Sequence, residues 1–133
     1  MSDYTGADID PDGYGPHGDV VYCDIADVKF PDNTFDLIVC NHVLEHVPRD
    51  DLAISELYRV LKPGGVAILQ VPISVKLNKT IEEPSMMDPR ERERRFGQFD
   101  QVRIYGSDYP QRLAAADLRS RYWMQLKSGV RTL

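Results

Sequence analysis

No uninterrupted apolar run in these 133 residues approaches the ~18 that a membrane-crossing helix needs, so no membrane partner is expected. The opening Met1-Ser2-Asp3-Tyr4 has neither the basic nor the apolar stretch of a secretory leader, which makes the cytoplasm the expected compartment. Cysteine is scarce. Cys23 and Cys40 each close an apolar run, where a small, weakly polar side chain is expected to serve the core rather than a disulfide or a metal. A basic excess is missing as well: 16 Lys and Arg face 21 Asp and Glu, for a formal net charge of -5. The front of the chain is acidic and the tail basic, and a basic tail can mark a nucleic-acid surface. Here Arg90, Glu91, Arg92, Glu93, Arg94 and Arg95 alternate in sign, so their field on a distant phosphate largely cancels and no nucleic acid is expected. With 42% hydrophobic and 28% charged residues the composition is that of an ordinary globular chain, and the length allows one core, hence a single domain over residues 1–133.

Tyr4 to Ile9 is a short β-type run ended by the turn formers Asp10-Pro11-Asp12-Gly13. Residues 14–18 hold two glycines and a proline, which leaves no room for a helix before the next strand, Asp19 to Cys23. Phe35 to Cys40 carries Leu37-Ile38-Val39 without alternation, the pattern of a strand covered on both faces in a parallel sheet. A helix follows, N-capped by Asp50 or Asp51, with Ala53, Leu57, Val60 and Leu61 on one side and Lys62-Pro63-Gly64-Gly65 as its stop. Val66 to Val71 is a fourth apolar strand, completing a βαβ unit and predicting a parallel α/β fold. Residues 73–101 turn polar and irregular and read as an insertion or lid; Asp108 to Leu118 reads as a last helix and Tyr122 to Leu126 as a final strand.

Two constellations carry chemistry. His42-Val43-Leu44-Glu45-His46 matches an H-x-x-E-H zinc pattern, but that chemistry needs a sustained helix and a third ligand, whereas here the motif follows a strand at once and meets Pro48, so no metal is expected. The same residues, at the carboxyl end of a strand in an open α/β sheet, can line a small-molecule pocket. Asp8 and Asp24 end successive strands. An acid there accepts from a ribose diol, and a second from an exocyclic amine; a turn or cap role is the alternative for each.

The stretch from Phe30-Pro31-Asp32-Asn33-Thr34-Phe35-Asp36 through Asn41-His42-Val43-Leu44-Glu45-His46-Val47, followed by Glu56-Leu57-Tyr58-Arg59-Val60-Leu61-Lys62-Pro63-Gly64-Gly65, resembles the class I S-adenosylmethionine-dependent methyltransferases, specifically the small-molecule type 11 group. The likeness covers Tyr4 to Ile73 and, more weakly, Phe96 to Ala116. It implies a Rossmann-like, mostly parallel sheet, S-adenosylmethionine as cofactor and a small-molecule substrate. By the resemblance Asp8, beside Ile9, would bind the cofactor's ribose hydroxyls, Asp24 with the Ile25 backbone its adenine, and Asn41 with His42 would flank its methionine part. His42, His46 and Tyr105 are the candidates for a catalytic base.

The family's first strand and its glycine-rich turn, an acidic residue followed by G-x-G-x-G, should precede Tyr4. The chain is therefore expected to be an incomplete methyltransferase core lacking that strand and its helix. Two functions follow: methyl transfer to an unidentified small molecule, or, as the alternative, a catalytically inactive remnant or interaction module that keeps the fold without the cofactor. Strands apolar on both sides with helices on one side only also predict a homodimer through an uncovered sheet face, the gap between Tyr4–Ile9 and Phe35–Cys40 closing by direct pairing or being filled by another segment.

Overall fold

The computed structural model describes residues 3–15, 19–83 and 85–116, together with the backbone of 123–126 and 129–132. Strand β1 (Gly6–Asp8) pairs in parallel with β2 (Val20–Tyr22), and β3 (Phe35–Asn41) pairs in parallel with β4 (Leu61–Gln70). The fold is mixed α/β with parallel pairs, as the apolar runs predicted. Among the described residues between β1 and β2 the one helical element is a 3-10 turn, Pro11–Tyr14. Helix α1 (Asp50–Val60) joins β3 to β4. Its Ala53, Ile54, Leu57 and Val60 are buried, one stripe at helical spacing, and the first three pack with Cys40, Leu44, Tyr105, Tyr109 and Leu113 as the core.

Two boundaries differ from expectation. Neither Asp50 nor Asp51 caps α1: Arg49 stands at the N-cap without a side-chain bond. Asp51 pairs with Arg49 at 2.7 Å, and Asp50 is drawn inside by partners far along the chain. Lys62-Pro63-Gly64-Gly65 does not separate helix from strand either. Leu61 is already extended and partners Phe35, the next partnered pair is Leu37 with Val66, and the intervening residues bulge out of the ladder. Gly64 takes a φ of 79°, and a Cβ on Gly65 would sit 3.0 Å from the Asp36 carbonyl oxygen, so glycine is needed at both.

Residues 73–101 are not irregular throughout. They hold β5 (Ile81–Glu82), antiparallel to β6 (Arg103–Ile104), and helix α2 (Pro89–Phe96). Asp88 caps α2 by accepting from the Arg90 N–H at 2.9 Å, Gly97 closes it at a φ of 87°, and Phe96 anchors it in the interior. Helix α3 (Tyr109–Ala114) is shorter than its predicted span, and Leu118 lies outside the described residues. Strand β7 (Trp123–Leu126) pairs antiparallel with β8 (Gly129–Thr132).

The β3–β4 pair is covered on one face. Ile38, Cys40 and Leu69 pack on the core, while Leu37 (57% exposed), Val39 (58%), Val66 (57%) and Ile68 (49%) face outward, with Leu37 opposite Val66 and Val39 opposite Ile68. The run without alternation thus has a buried and an open side, correcting the reading of a strand covered on both. Among the described residues no backbone ladder joins β1 to β3, so the two parallel pairs form separate sheets and the expected closure by direct pairing does not occur.

Both cysteines are free thiols. Burial is the main cause that pushes the Cys40 thiol up to about 12, with the Glu45 carboxylate adding to it. At pH 8 the folded protein should therefore leave Cys40 unmodified by iodoacetamide over hours, and unfolding in urea should expose it to alkylation within minutes. Peptide mass mapping reads both states, and fast labelling of native Cys40 would contradict its placement.

Candidate functional site

At the end of β1 the Asp8 carboxylate accepts the Asp10 N–H on Oδ1 at 2.9 Å and the Tyr14 hydroxyl on Oδ2 at 2.8 Å. Those two bonds, the backbone one first, hold its pKa below the usual carboxylate value, so Asp8 stays charged while its side chain faces solvent. Each oxygen keeps a second lone pair for a ligand. The proximity of Asp8 raises the Tyr14 hydroxyl in turn, keeping it a donor. Tyr14 was not among the residues read from sequence; the 3-10 turn Pro11–Tyr14 delivers it.

The parallel register sets Tyr22 opposite Asp8, and the Cys23 N–H donates to the Asp8 carbonyl at 2.8 Å, so Asp24 lies at the same carboxyl end one step further on. Asp24 Oδ1 accepts from the Ala26 N–H at 2.9 Å, an Asx turn, and Oδ2 has no bond among the described residues. Ile25 beside it packs against the core cluster that holds Cys40 and Leu44, which ties this end of the β1–β2 pair to the β3 end. Both acids thus make the local turn bonds of the structural reading and keep acceptor capacity. Ile9 is exposed.

Asn41 is the last residue of β3, and the chain turns at His42, whose φ of 55° is left-handed and rare for a side chain with a Cβ. The bond from the His42 N–H to the Gln70 carbonyl at 2.8 Å holds that conformation, so the turn stands over the carboxyl ends of β3 and β4. A 3-10 turn, Leu44–His46, follows. Glu45 is buried in it, with Oε1 3.8 Å from His42 Nδ1 and 3.7 Å from His46 Nε2. His46 Nδ1 in turn lies 3.1 Å from the Asp100 carbonyl oxygen and 3.5 Å from its carboxylate. The H-x-x-E-H residues therefore sit on a turn and not on one helix. Among the described residues no group of three metal-ligating side chains is assembled.

Tyr105 stands elsewhere. It is fully buried, its hydroxyl donates to Asp50 Oδ2 at 2.6 Å, and burial first, then that bond, raise its pKa well above the usual phenol value. The same Asp50 carboxylate accepts two bonds from Arg112 Nη2 at 2.8 and 2.9 Å, and Arg112 also reaches Glu82 at 3.0 Å. Arg103, with no exposed side-chain surface, pairs with Glu82 at 3.0 Å and donates to the carbonyls of Leu44, Val47 and Pro48. This network locks β6 and α3 onto the turn that carries His42 and His46. Sequence reasoning missed it, because its members are 21 to 62 residues apart and nothing local marks them.

Between the turn and the residue 96–104 segment lies an open cleft of about 390 Å³, lined by Glu45, Pro72, Ile73, Phe96, Arg103 and Ile104 among others. Polar Glu45, Ser74, Gln98, Gln101 and Arg103 share its lining with apolar Pro72, Ile73, Phe96 and Ile104, a mixture that can meet a molecule with both a polar and an apolar part.

A family model described as "Methyltransferase domain" matches residues 2–69, just over half of the chain. Among curated proteins, the ubiquinone/menaquinone biosynthesis C-methyltransferase of Hydrogenovibrio crunogenus is 56% identical over 38 residues, 29% of this chain and 15% of that protein. Among solved structures, the [4+2]-cyclase SpnF superposes with a TM-score of 0.63 at 22% identity, covering 94% of this chain and 45% of that one. PigF, solved with S-adenosylhomocysteine (SAH), gives a TM-score of 0.55 at 20% identity over 88% of this chain and 35% of its own. The matches thus take in less than half the length of each of these proteins.

Proposed function

The chain belongs to the methyltransferase domain family, and from that premise we propose that it binds S-adenosylmethionine at the carboxyl ends of β1, β2 and β3 and takes part in methyl transfer to a small molecule. The observation that carries the proposal is the family match over the segment that ends β1 in Asp8, whose exposed, charged carboxylate keeps lone pairs for a diol. Fold alone would not suffice, since SpnF is described as a cyclase.

The residues present fit the nucleoside half of the cofactor. Asp8 would accept from the two ribose hydroxyls, Asp24 through its open oxygen from the adenine amine, with the Ile25 backbone beside it. Asn41 and His42, at the turn over β3, would flank the methionine half. The bound cofactor supplies an electrophilic methyl group. The work left to the protein is to hold the acceptor in line, exclude water from the cleft and receive a proton. His42 and His46 suit that last task better than Tyr105, whose proton is committed to Asp50. Titration calorimetry with SAH tests the reading. Dissociation in the micromolar range, about -8 kcal/mol, is expected; no heat at millimolar ligand would overturn it and favour a fold retained without cofactor.

Two finer features belong to the proposal. No helix among the described residues is long and apolar enough to cross a membrane, and the cytoplasm is the proposed compartment. The outward face formed by Leu37, Val39, Val66 and Ile68 is proposed to pack on its own copy about a two-fold axis. Sedimentation at micromolar concentration should then give about twice the 15.2 kDa chain mass. A monodisperse monomer that binds no hydrophobic dye would dispose of the dimer.

A further inference from the structure

Glu45 is 3% exposed, and its Oε2 is a buried side-chain oxygen with no hydrogen-bond partner among the described residues. Among the described residues its other oxygen has only the two imidazoles nearby, at 3.7 and 3.8 Å, beyond hydrogen-bond reach. Arg103, the cation that lines the same cleft, is taken up by Glu82, Asp50 and three carbonyls, and no Arg or Lys among the described residues lies within ion-pair distance of Glu45. A buried carboxylate is costly unless a donor, and preferably a positive charge, meets it. Among the described residues only the His42 and His46 imidazoles stand near it, and the cleft that Glu45 helps to line is open to solvent, with Pro72, Ile73, Phe96 and Ile104 as its apolar side and Ser74, Gln98 and Gln101 beside them.

We propose that this cleft binds a small organic molecule bearing a protonated amine next to an apolar group, with Glu45 as the counter-ion. An ammonium in the cleft supplies the charge and, once the Glu45 side chain turns its buried Oε2 toward the cleft, the N–H donors that this oxygen lacks, and charge-assisted bonds of this kind are about twice as strong as neutral ones. The apolar part lies along Phe96, Ile73 and Ile104. A carboxylate or phosphate ligand would be repelled by Glu45, and an alcohol would satisfy the oxygen without answering the charge. That the amine is the methyl acceptor rests on the function proposed above; that it binds does not.

The test uses 2-phenylethylamine and 2-phenylethanol as matched probes, titrated into the full chain by ligand-observed NMR and calorimetry at pH 7. The amine is expected to bind at millimolar concentration or tighter and at least tenfold more tightly than the alcohol. Glu45→Gln, which keeps the shape, should erase that preference while leaving alcohol binding and the melting temperature unchanged. Equal binding of the two probes by the parent, no binding of either, or an unaltered preference in E45Q would overturn the proposal. The parent's amine preference remains a test of its own should E45Q not fold. SAH is titrated into the same samples, so that loss of amine binding with the nucleoside still bound sinks this inference alone, and the reverse result sinks the cofactor reading alone.

Discussion

Asp50→Ala should cost about 3–5 kcal/mol of folding stability, the toll of breaking a buried ion pair from one side. The substitution removes the acceptor of the Tyr105 hydroxyl at 2.6 Å, both Arg112 bonds at 2.8 and 2.9 Å, and the nearer of the charges on Arg112. Arg103, already fully buried, would keep only Glu82 as a counter-charge. Since small domains hold on the order of 5–15 kcal/mol, the loss is a large fraction of the total. Urea unfolding followed by circular dichroism reads it as a fall in the midpoint at constant slope. Asp50→Asn, which keeps an acceptor for Tyr105, should fall between the two. A loss below about 1 kcal/mol for Asp50→Ala would mean that the Asp50 bonds contribute little to holding α3 and β6, which the Glu82 pairs, the carbonyl bonds of Arg103 and apolar contacts would then hold.

Asp8→Ala is expected to act on binding and hardly on folding. Its carboxylate faces solvent, and its bonds to the Asp10 N–H and the Tyr14 hydroxyl are on the surface. Two charge-assisted bonds to a ribose diol would be lost, roughly 1.5 to 3 kcal/mol each, or at least tenfold in affinity per bond. Calorimetry with SAH measures the change, and melting temperature serves as the control. Equal affinity in parent and variant would remove Asp8 from the site. Tyr14→Phe takes away the hydroxyl that holds Asp8 Oδ2 at 2.8 Å, leaving the charge but loosening the carboxylate's orientation, and should give a smaller loss in the same direction.

The βαβ unit from Phe35 to Gln70 was legible because each element is signalled by its own residues: an apolar run for β3, a helical stripe for α1, a second run for β4. What was not legible depended on residues distant in sequence. Asp50 reads as a cap because acids favour helix starts, yet Tyr105 and Arg112, 55 and 62 residues away, turn it into a buried ligand of the interior. Tyr105 reads as a reactive phenol until burial and Asp50 show its proton to be held. Lys62-Pro63-Gly64-Gly65 has the chemistry of a turn, and the sheet absorbs it as a bulge because Leu61 already pairs with Phe35. Leu37, Ile38, Val39 and Cys40 are all apolar, so nothing in their order tells which side of β3 is covered; α1 decides that, by burying Ile38 and Cys40 and leaving Leu37 and Val39 open. In the candidate site, Asp8, Asp24, Asn41 and His42 could be placed at strand ends from the runs alone. Glu45 drew attention as part of a zinc pattern, and its burial without a partner appears only when the turn, the cleft and Arg103 are seen together.

The proposed site makes a claim about positions, and a two-dimensional ¹H–¹⁵N NMR titration with SAH addresses it most directly. The backbone amides of Ile9, Ile25 and His42, at the ends of β1, β2 and β3, should shift together along one binding curve, with α2 and the outward face of β3–β4 unmoved. A spectrum unchanged at millimolar ligand, or shifts that leave those three amides in place, would contradict the account.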